Sequence, residues 1–324
     1  MEGDSVIYAD DDTDTVDAKD IDELQAKIQR EADRSTDWVN DNRMVWSGSK
    51  TKLLLIGTQQ LKQSKLNRVG RGPNIEVNVC GDLVRDSKSE RLLGLTVNNT
   101  MTWSEYLYGE KWRKENNCAG LIPQLNKRVG LLTRFVHLMP ADKFRLFCNG
   151  LFNSKLIYCL QVFSHVWDLP NMDVEQRRFP AFTRGDNRKL QVLQNKVLRL
   201  KSKLPLGTPT ETLLQVTGDL SVQQLTAFST LTMAQRAIFE QKPNYLANKL
   251  CLRSFDNYPA LSASRHVNTL NIQSHLSISR GGFFCRSSAL FNQLPPDLRA
   301  PMKPVMFKKK VKRWVQENIA ARPG

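Results

Sequence analysis

The first hundred residues of the chain alternate short apolar stretches with polar ones, as in a small antiparallel structure. Ser5–Ala9 combines β-branched and aromatic side chains, a composition that is typical of a strand. Three consecutive aspartates interrupt it at positions 10–12, and Thr13–Val16 has the composition of a second strand. The pattern therefore predicts a hairpin that carries carboxylates at its tip.

A helical pattern follows this hairpin. Asp20 is a suitable N-cap, and Glu23 stands three residues later, as in a capping box. One predicted face is largely apolar, with the positions Ile21, Leu24, Ile28, Ala32, Ser35, Trp38 and Val39 at a spacing of three or four. Four acids of the opening cluster suit the start of a helix, namely Asp17, Asp20, Asp22 and Glu23. The acids at residues 10–12 are not explained in this way.

Further apolar stretches predict one small sheet before a mainly helical remainder. The predicted strands are Lys52–Ile56, the alternating positions 75–79, and Leu92–Val97. Long helical patterns fill most of residues 104–250, and residues 253–282 have an irregular, polar composition. The expected helix breaks are Pro140, Pro170, Pro205, Pro209 and Pro243.

A basic amphipathic helix is predicted over Pro304–Ala320. The positions expected near its apolar face are Val305, Phe307, Val311, Trp314, Val315 and Ile319. Together these patterns predict an α+β fold, in which a small β-containing region precedes a larger helical one.

The charge of the chain is strongly divided along its length. The formal net charge is +15, although residues 1–37 hold 13 acids and only 4 bases. A basic excess that is spread along the remaining residues favours a polyanionic partner, with nucleic acid as the first expectation. A solvated basic surface without a partner is the alternative.

Other classes of protein receive little support from the sequence. The six cysteines form no CxxC pair and have no ligand spacing with the four histidines, which argues against zinc and suits a reducing compartment. The acidic N-terminus lacks the apolar run of a signal peptide, and the most apolar stretch, Leu146–Leu169, contains polar residues unsuited to a membrane. An intracellular protein, nuclear or cytoplasmic, is expected.

Three kinds of structure could account for the acidic tip. A calcium-binding EF-hand loop starting at Asp10 fails, because Thr15 stands where glycine is needed and Ile21 where glutamate is needed. A solvated acidic turn remains open, since aspartate is a common turn residue. A catalytic metal site also remains open, because hard divalent cations prefer carboxylate oxygens held on a rigid backbone.

Several motifs, in order, resemble the reverse transcriptases of non-LTR, LINE-type retrotransposons, with the jockey-like elements nearest. The motif YADD at 8–11 resembles their central catalytic box. It is followed by WVNDNRMVWSGSKTKLLLIG at 38–57 and RLLGLTVNNTMTW at 91–103. Later matching segments are LNKRVGLLTRF (125–135), LIYCLQVF (156–163), LQVLQNKVLRL (190–200) and LFNQLPPDLR with FKKKVKRWV (290–315).

The resemblance implies part of a right-handed polymerase fold. Residues 1–103 would be a partial palm, 104–250 a helical thumb-like region and 251–324 a C-terminal region. The resemblance begins at the YADD box, and only seven residues precede Tyr8. The fingers and the earlier aspartate strand of the family's palm are therefore expected to lie outside this sequence.

The resemblance also assigns roles to individual residues. Asp10 and Asp11 match the catalytic, metal-binding aspartates, which hold Mg²⁺ in the family, and Tyr8 matches a residue beside the primer and template. Lys50 and Lys52 fall in the segment near the triphosphate, where a cation can neutralise the leaving group. The primer-supporting hairpin is matched by three consecutive residues, Leu93, Gly94 and Leu95.

The function implied by the resemblance is RNA-directed DNA polymerisation, a nucleotidyl transfer assisted by two Mg²⁺ ions, with an RNA template and a DNA primer as partners. Without the earlier aspartate strand, residues 1–324 alone are expected to be inactive as a polymerase. A non-catalytic nucleic-acid-binding protein and a helical protein-interaction scaffold are the alternatives. No membrane partner is expected, and the sequence does not identify any polymerase chain that would complement this one.

Overall fold

The computed structural model describes residues 4–9, 11–44, 46–48, 50–57, 75–109, 120–167, 182–250, 252, 269–270 and 283–321. The chain divides into two compact units, Met1–Tyr106 and Leu107–Gly324. The predicted α+β fold is confirmed, because antiparallel hairpins lie in the first unit and helices dominate the second. The finer assignment of palm, thumb and C-terminal region stays a prediction.

The described elements of the first unit are short strands and one long helix. In chain order they are β1 (Asp4–Tyr8), β2 (Asp11–Thr15), α1 (Ile21–Asp41), β3 (Glu76–Val79), β4 (Asp82–Arg85), β5 (Ser89–Leu92) and β6 (Leu95–Asn98). The short helix α2 (Ser104–Tyr108) follows and crosses the boundary between the units.

Within the described residues, the strands form three separate hairpins rather than the single sheet predicted. β1 pairs only with β2, β3 only with β4, and β5 only with β6. The predicted strand Leu92–Val97 is wrong because Leu93 and Gly94, with φ of +46° and +84°, form the turn between β5 and β6. Turns with two positive φ angles match the twist of the strands that they connect.

The predicted strand Lys52–Ile56 is also wrong. Within this segment only Leu53 forms a β-type pairing, a single isolated parallel bridge to Asp86 outside the strands. The Asp86 carboxylate accepts a hydrogen bond from the backbone N–H of Ile75 at 2.8 Å. Because β4 ends at Arg85, the segment 52–56 has no neighbouring described strand along which its pairing could continue.

Helix α1 begins as the sequence predicts. The Asp20 side chain accepts a hydrogen bond from the Glu23 backbone N–H at 2.8 Å. Glu23 Oε2 accepts from the backbone of Lys19 at 3.3 Å instead of from Asp20, so the reciprocal half of the capping box is displaced by one residue.

The apolar face of α1 packs on the β3–β4 hairpin. Val77, Val79 and Val84 are buried there, with Ile28 and Ala32 of the helix against them. A full burial of one such aliphatic side chain contributes about 1.5–3 kcal/mol, so this small cluster supplies a substantial part of the stability of the first unit.

The second unit is built from helices of very different lengths. Its described elements after α2 are α3 (Leu121–Phe135), α4 (Ala141–Cys148), a π-helix (Asn149–Asn153), α5 (Ser154–Ile157), α6 (Leu160–Phe163), α7 (Arg184–Ser202), α8 (Thr210–Thr217), α9 (Val222–Glu240), α10 (Asn244–Ala247), α11 (Phe283–Asn292) and α12 (Pro304–Asn318). Pro140, Pro209 and Pro243 directly precede α4, α8 and α10, which confirms those three breaks. Pro170 lies outside the described residues.

Helix α9 lies in the centre of the second unit. Ala227, Leu231 and Ala234 are completely buried in a cluster that includes residues of α11 and α12. Its glutamines are buried as well, and their amides donate to backbone carbonyls: Gln223 to Trp167 at 3.1 Å and Gln224 to Ile319 at 2.9 Å. These bonds offset part of the cost of burying polar groups.

Helix α12 confirms the predicted C-terminal amphipathic helix, which ends at Asn318. Phe307, Val311 and Val315 are fully buried at the expected spacing of four. Val305 is 79% exposed, so its assignment to the apolar face is wrong. It lies two residues before Phe307, and two helical residues span about 200°, which places Val305 on the far side of the helix.

Among the described helices, none has the length and apolar character that crossing a membrane requires.

Candidate functional site

The predicted acidic hairpin is present, with a shorter loop than expected. Tyr8 lies directly opposite Asp11 in the β1–β2 register, so β2 begins at Asp11 and not at Thr13. Ala9 has a φ of +58°, as a tight hairpin turn requires. Asp10 lies outside the described residues.

The two faces of the hairpin carry different groups, because successive strand residues point to opposite faces. Tyr8, 66% exposed, shares one face with Asp11 and with the pair Val6–Thr13. Ser5 shares the other face with Asp12 and Asp14. The adjacent aspartates Asp11 and Asp12 therefore project from opposite sides of the hairpin.

The face with Asp12 and Asp14 is hydrogen-bonded within the first unit. The Ser5 hydroxyl donates to Asp12 Oδ1 at 3.0 Å, and the Ser35 hydroxyl of α1 donates to Asp14 Oδ2 at 3.4 Å. Partial desolvation raises the pKa of Asp14 above its ordinary value, and the charges of Asp12 and Glu31 act in the same direction. The hydrogen bonds from Ser5 and Ser35 oppose this rise.

Asp14 and its serine partners are site residues that sequence reasoning missed. Asp14 is one more acid of the opening run, and the contact between Ser35 and β2 depends on how α1 packs. The alternation of side chains along a hairpin was the available signal, because it separates Asp11 from Asp12 and Asp14 once the turn is known to contain two residues.

The described carboxylates of this hairpin are not gathered into one group. In these ranges, which omit Asp10, no group of three or more histidine, cysteine, aspartate or glutamate side chains is arranged to hold an ion. Asp11 offers one exposed carboxylate beside Tyr8, and carboxylate oxygens suit Mg²⁺. The assignment of Asp10 and Asp11 as metal ligands stays a prediction.

Lys50 lies on a turn that Trp46 anchors, and Lys52 follows this turn. The Trp46 indole N–H donates to the Thr51 hydroxyl at 2.7 Å, and the Lys50 backbone N–H donates to the Ser47 carbonyl at 3.0 Å. Both lysine residues are exposed. Their predicted position near a triphosphate stays a prediction.

The predicted primer-supporting residues do form a hairpin. Leu93 and Gly94 make its turn, and Leu95 begins β6 opposite Leu92. Leu92 and Leu93 are 42% and 44% exposed, so the loop presents apolar side chains at the surface. The hairpin is confirmed, and its role beside a primer stays a prediction.

Exposed basic side chains form the second candidate surface, on α12. The lysines 308, 309, 310 and 312 and Arg313 are all exposed, while the opposite side of the helix is buried. The sequence pattern predicted both the helix and its basic side. This surface belongs to the second unit, whereas the acidic hairpin belongs to the first.

Comparison of the chain with protein-family models, with curated proteins and with solved structures finds no match in any of the three.

Proposed function

We propose that this chain is part of a reverse transcriptase of the non-LTR retrotransposon type and that it binds nucleic acid. In the parent class, a polymerase transfers a nucleotide to the 3′-hydroxyl of a primer on an RNA template with the help of Mg²⁺. For residues 1–324 alone we expect binding of a primer and template without extension.

One observation carries the polymerase assignment. Tyr8 and Asp11 of the YADD motif lie directly opposite each other at the loop end of an antiparallel hairpin, and the amphipathic helix α1 follows. This arrangement exposes Asp11 on the same face as Tyr8, where a divalent cation and a phosphate can approach. The nucleic-acid assignment is supported separately by the net charge of +15.

The first experiment tests the metal role with Mn²⁺ as the probe. Paramagnetic Mn²⁺ is added to the labelled protein, and the broadening of the Tyr8 and Asp11 NMR signals is measured. We expect selective broadening that the double variant Asp10→Asn, Asp11→Asn loses, while Asp37→Asn on α1 retains it. Equal broadening in the parent and the double variant would contradict the assignment.

The second experiment measures binding and extension with a DNA primer annealed to an RNA template. Apparent affinity should fall steeply with salt and depend little on sequence, because phosphate contacts dominate. Extension with Mg²⁺ should stay at the level of the double variant, since the resemblance does not include the family's other metal-binding aspartate. Extension that requires Asp10 and Asp11 would overturn the expectation of inactivity, and a lack of binding at low salt would overturn the nucleic-acid function.

A second candidate function, protein interaction through the helical unit, is favoured by an apolar surface depression. It has a volume of about 500 Å³ and is lined by Met139, Lys143, Leu146, Phe147, Gly150 and Leu151. Leu146 is 65% exposed there. If the depression mediates self-association, Leu146→Ser should shift the sedimentation of the protein towards the monomer, whereas Leu206→Ser, at another exposed leucine, should not.

A further inference from the structure

Helix α12 and its N-cap concentrate positive charge. Residues 303–318 contain six basic residues and one acid, a net charge of +5, which is a third of the charge of the whole chain in 16 residues. Lys303 is the N-cap residue, and the first turn contains no acid. Acids stabilise the start of a helix and bases destabilise it, so the charge of Lys303 is unfavourable for α12 itself.

The internal contacts of α12 leave part of this charge unneutralised. Arg313 pairs with Glu317 at 2.9 Å, and Lys310 reaches Asp297 only at 4.0 Å. Lys312 donates to the carbonyl of Gly218 at 2.9 Å, which satisfies a donor without cancelling the charge. The side chains of Lys303, Lys308 and Lys309 are exposed and make no hydrogen bond or ion pair with the described residues.

The burial of α12 decides which polyanion suits this surface. A helix that binds a membrane inserts its apolar face between the lipids. In α12 that face is used already, because Phe307, Val311 and Val315 are fully buried in the core of the second unit. The lysines therefore project from a rigid, anchored helix, an arrangement that suits contacts with a phosphate backbone.

We infer that the exposed side of α12, with Lys303, Lys308 and Lys309, is the main phosphate-backbone contact of this chain with nucleic acid. This inference rests on the proposed nucleic-acid function and adds the surface that performs it. Each lysine that neutralises one phosphate releases condensed counterions, so the surface contributes to affinity through salt-dependent terms and does not read sequence.

The test compares two triple variants with equal losses of charge. The first is Lys303→Gln, Lys308→Gln, Lys309→Gln. The matched control is Lys127→Gln, Lys196→Gln, Lys203→Gln, at exposed lysines of the same unit whose side chains also have no partner among the described residues. Circular dichroism and thermal unfolding verify the fold of both, and the corresponding lysine-to-arginine variant of the α12 positions should retain binding.

Affinity for an RNA duplex and for a DNA duplex is measured by fluorescence anisotropy over a range of salt concentrations. The α12 variant should lose about tenfold or more in affinity at low salt, and its plot of log affinity against log salt should flatten by up to about 2.7 for DNA, at 0.9 per phosphate. In the control variant, both the affinity and this slope should change clearly less.

The outcomes separate this inference from the proposed function. If the parent protein binds no nucleic acid at low salt, the proposed function fails. If the parent binds and the two triple variants lose equal affinity, the inference about α12 is overturned while nucleic-acid binding stands. If the α12 variant loses binding only to phosphatidylserine vesicles, the surface serves a membrane and the inference is also overturned.

Discussion

The side-chain amide of Gln29 pairs with the backbone of Asn78 through both of its polar groups. Gln29 Nε2 donates to the Asn78 carbonyl at 2.8 Å, and Gln29 Oε1 accepts from the Asn78 N–H at 3.0 Å. The amide thus occupies backbone groups of β3 that β4 does not use. An exposed strand edge is otherwise a site for unwanted pairing, and here a helix side chain covers it.

Removing this amide should destabilise the first unit. Gln29→Ala loses two hydrogen bonds to the backbone, each with a net contribution of about 0.5–1.5 kcal/mol, so we expect a loss of about 1–3 kcal/mol in the free energy of unfolding. Hydrogen exchange of the Asn78 amide should accelerate. Asp37→Ala on the same helix is the control, because no described contact involves its side chain; equal effects of the two substitutions would refute the pairing.

The β1–β2 hairpin should be the least protected regular structure of the described chain. Val6, Ile7 and Tyr8 are at least 60% exposed, and a two-stranded hairpin has little intrinsic stability in water. We expect the amides of Ser5–Val16 to exchange much faster than those of α9, by hydrogen-exchange mass spectrometry or NMR. Protection of the hairpin equal to that of α9 would contradict this expectation.

His165 should make the second unit sensitive to acid. Burial lowers its pKa from 6.5 to about 4, and the nearby charge of Arg286 acts in the same direction. At pH values between 4 and 6.5, the imidazole is protonated in the unfolded chain but not in the folded one. Protonation of this residue therefore lowers the free energy of unfolding by on the order of 3 kcal/mol as the pH falls from 6.5 to 4. Urea unfolding should show a smaller loss over this range in His165→Gln; the same loss in both proteins would disprove the assignment.

Arg286 should strongly stabilise the second unit. The described groups that accept hydrogen bonds from its guanidinium are backbone carbonyls and include no carboxylate. Its Nη2 donates to the carbonyls of Gln161 and Val162 at 3.1 and 3.2 Å, and its Nη1 donates to the carbonyl of Ser164. Arg286→Met should cost about 2–4 kcal/mol, because the carbonyls at the end of α6 lose a charged donor.

The same substitution should raise the pKa of His165, since the repulsion from the guanidinium disappears. NMR titration of the imidazole measures this change, and an unchanged pKa would show that burial alone determines it. Arg313→Met is the matched control, because the Arg313–Glu317 pair is exposed and should contribute less than about 1 kcal/mol.

Local signals predicted the elements whose stability is local. The N-cap Asp20 and the regularly spaced apolar residues after it identify α1. The apolar residues at every fourth position from Phe307 onwards identify α12. The error at Leu92–Val97 has a local cause as well: Leu93 adopts a φ of +46°, which an aliphatic residue rarely does, so its composition indicated a strand where the chain turns.

Features that depend on tertiary contacts escaped prediction. The glutamines of α9 appear as a polar surface in the sequence, yet Gln223 and Gln224 are buried because backbone carbonyls of distant segments accept their hydrogen bonds. The π-helix at Asn149–Asn153 is similar: Arg128 of α3 donates to the carbonyl of Leu151 within it, a contact that no local pattern encodes.

The position of α12 against α9 constrains how the second unit is made on the ribosome. Helix α9 ends at Glu240, and the helix that covers it begins only at Pro304. At a synthesis rate of about 5–20 residues per second, the apolar side of α9 emerges several seconds before Phe307 and Val311 arrive to cover it. During that interval the nascent chain exposes an incomplete core. Chaperone binding to the apolar side of α9 would then protect the chain most from aggregation.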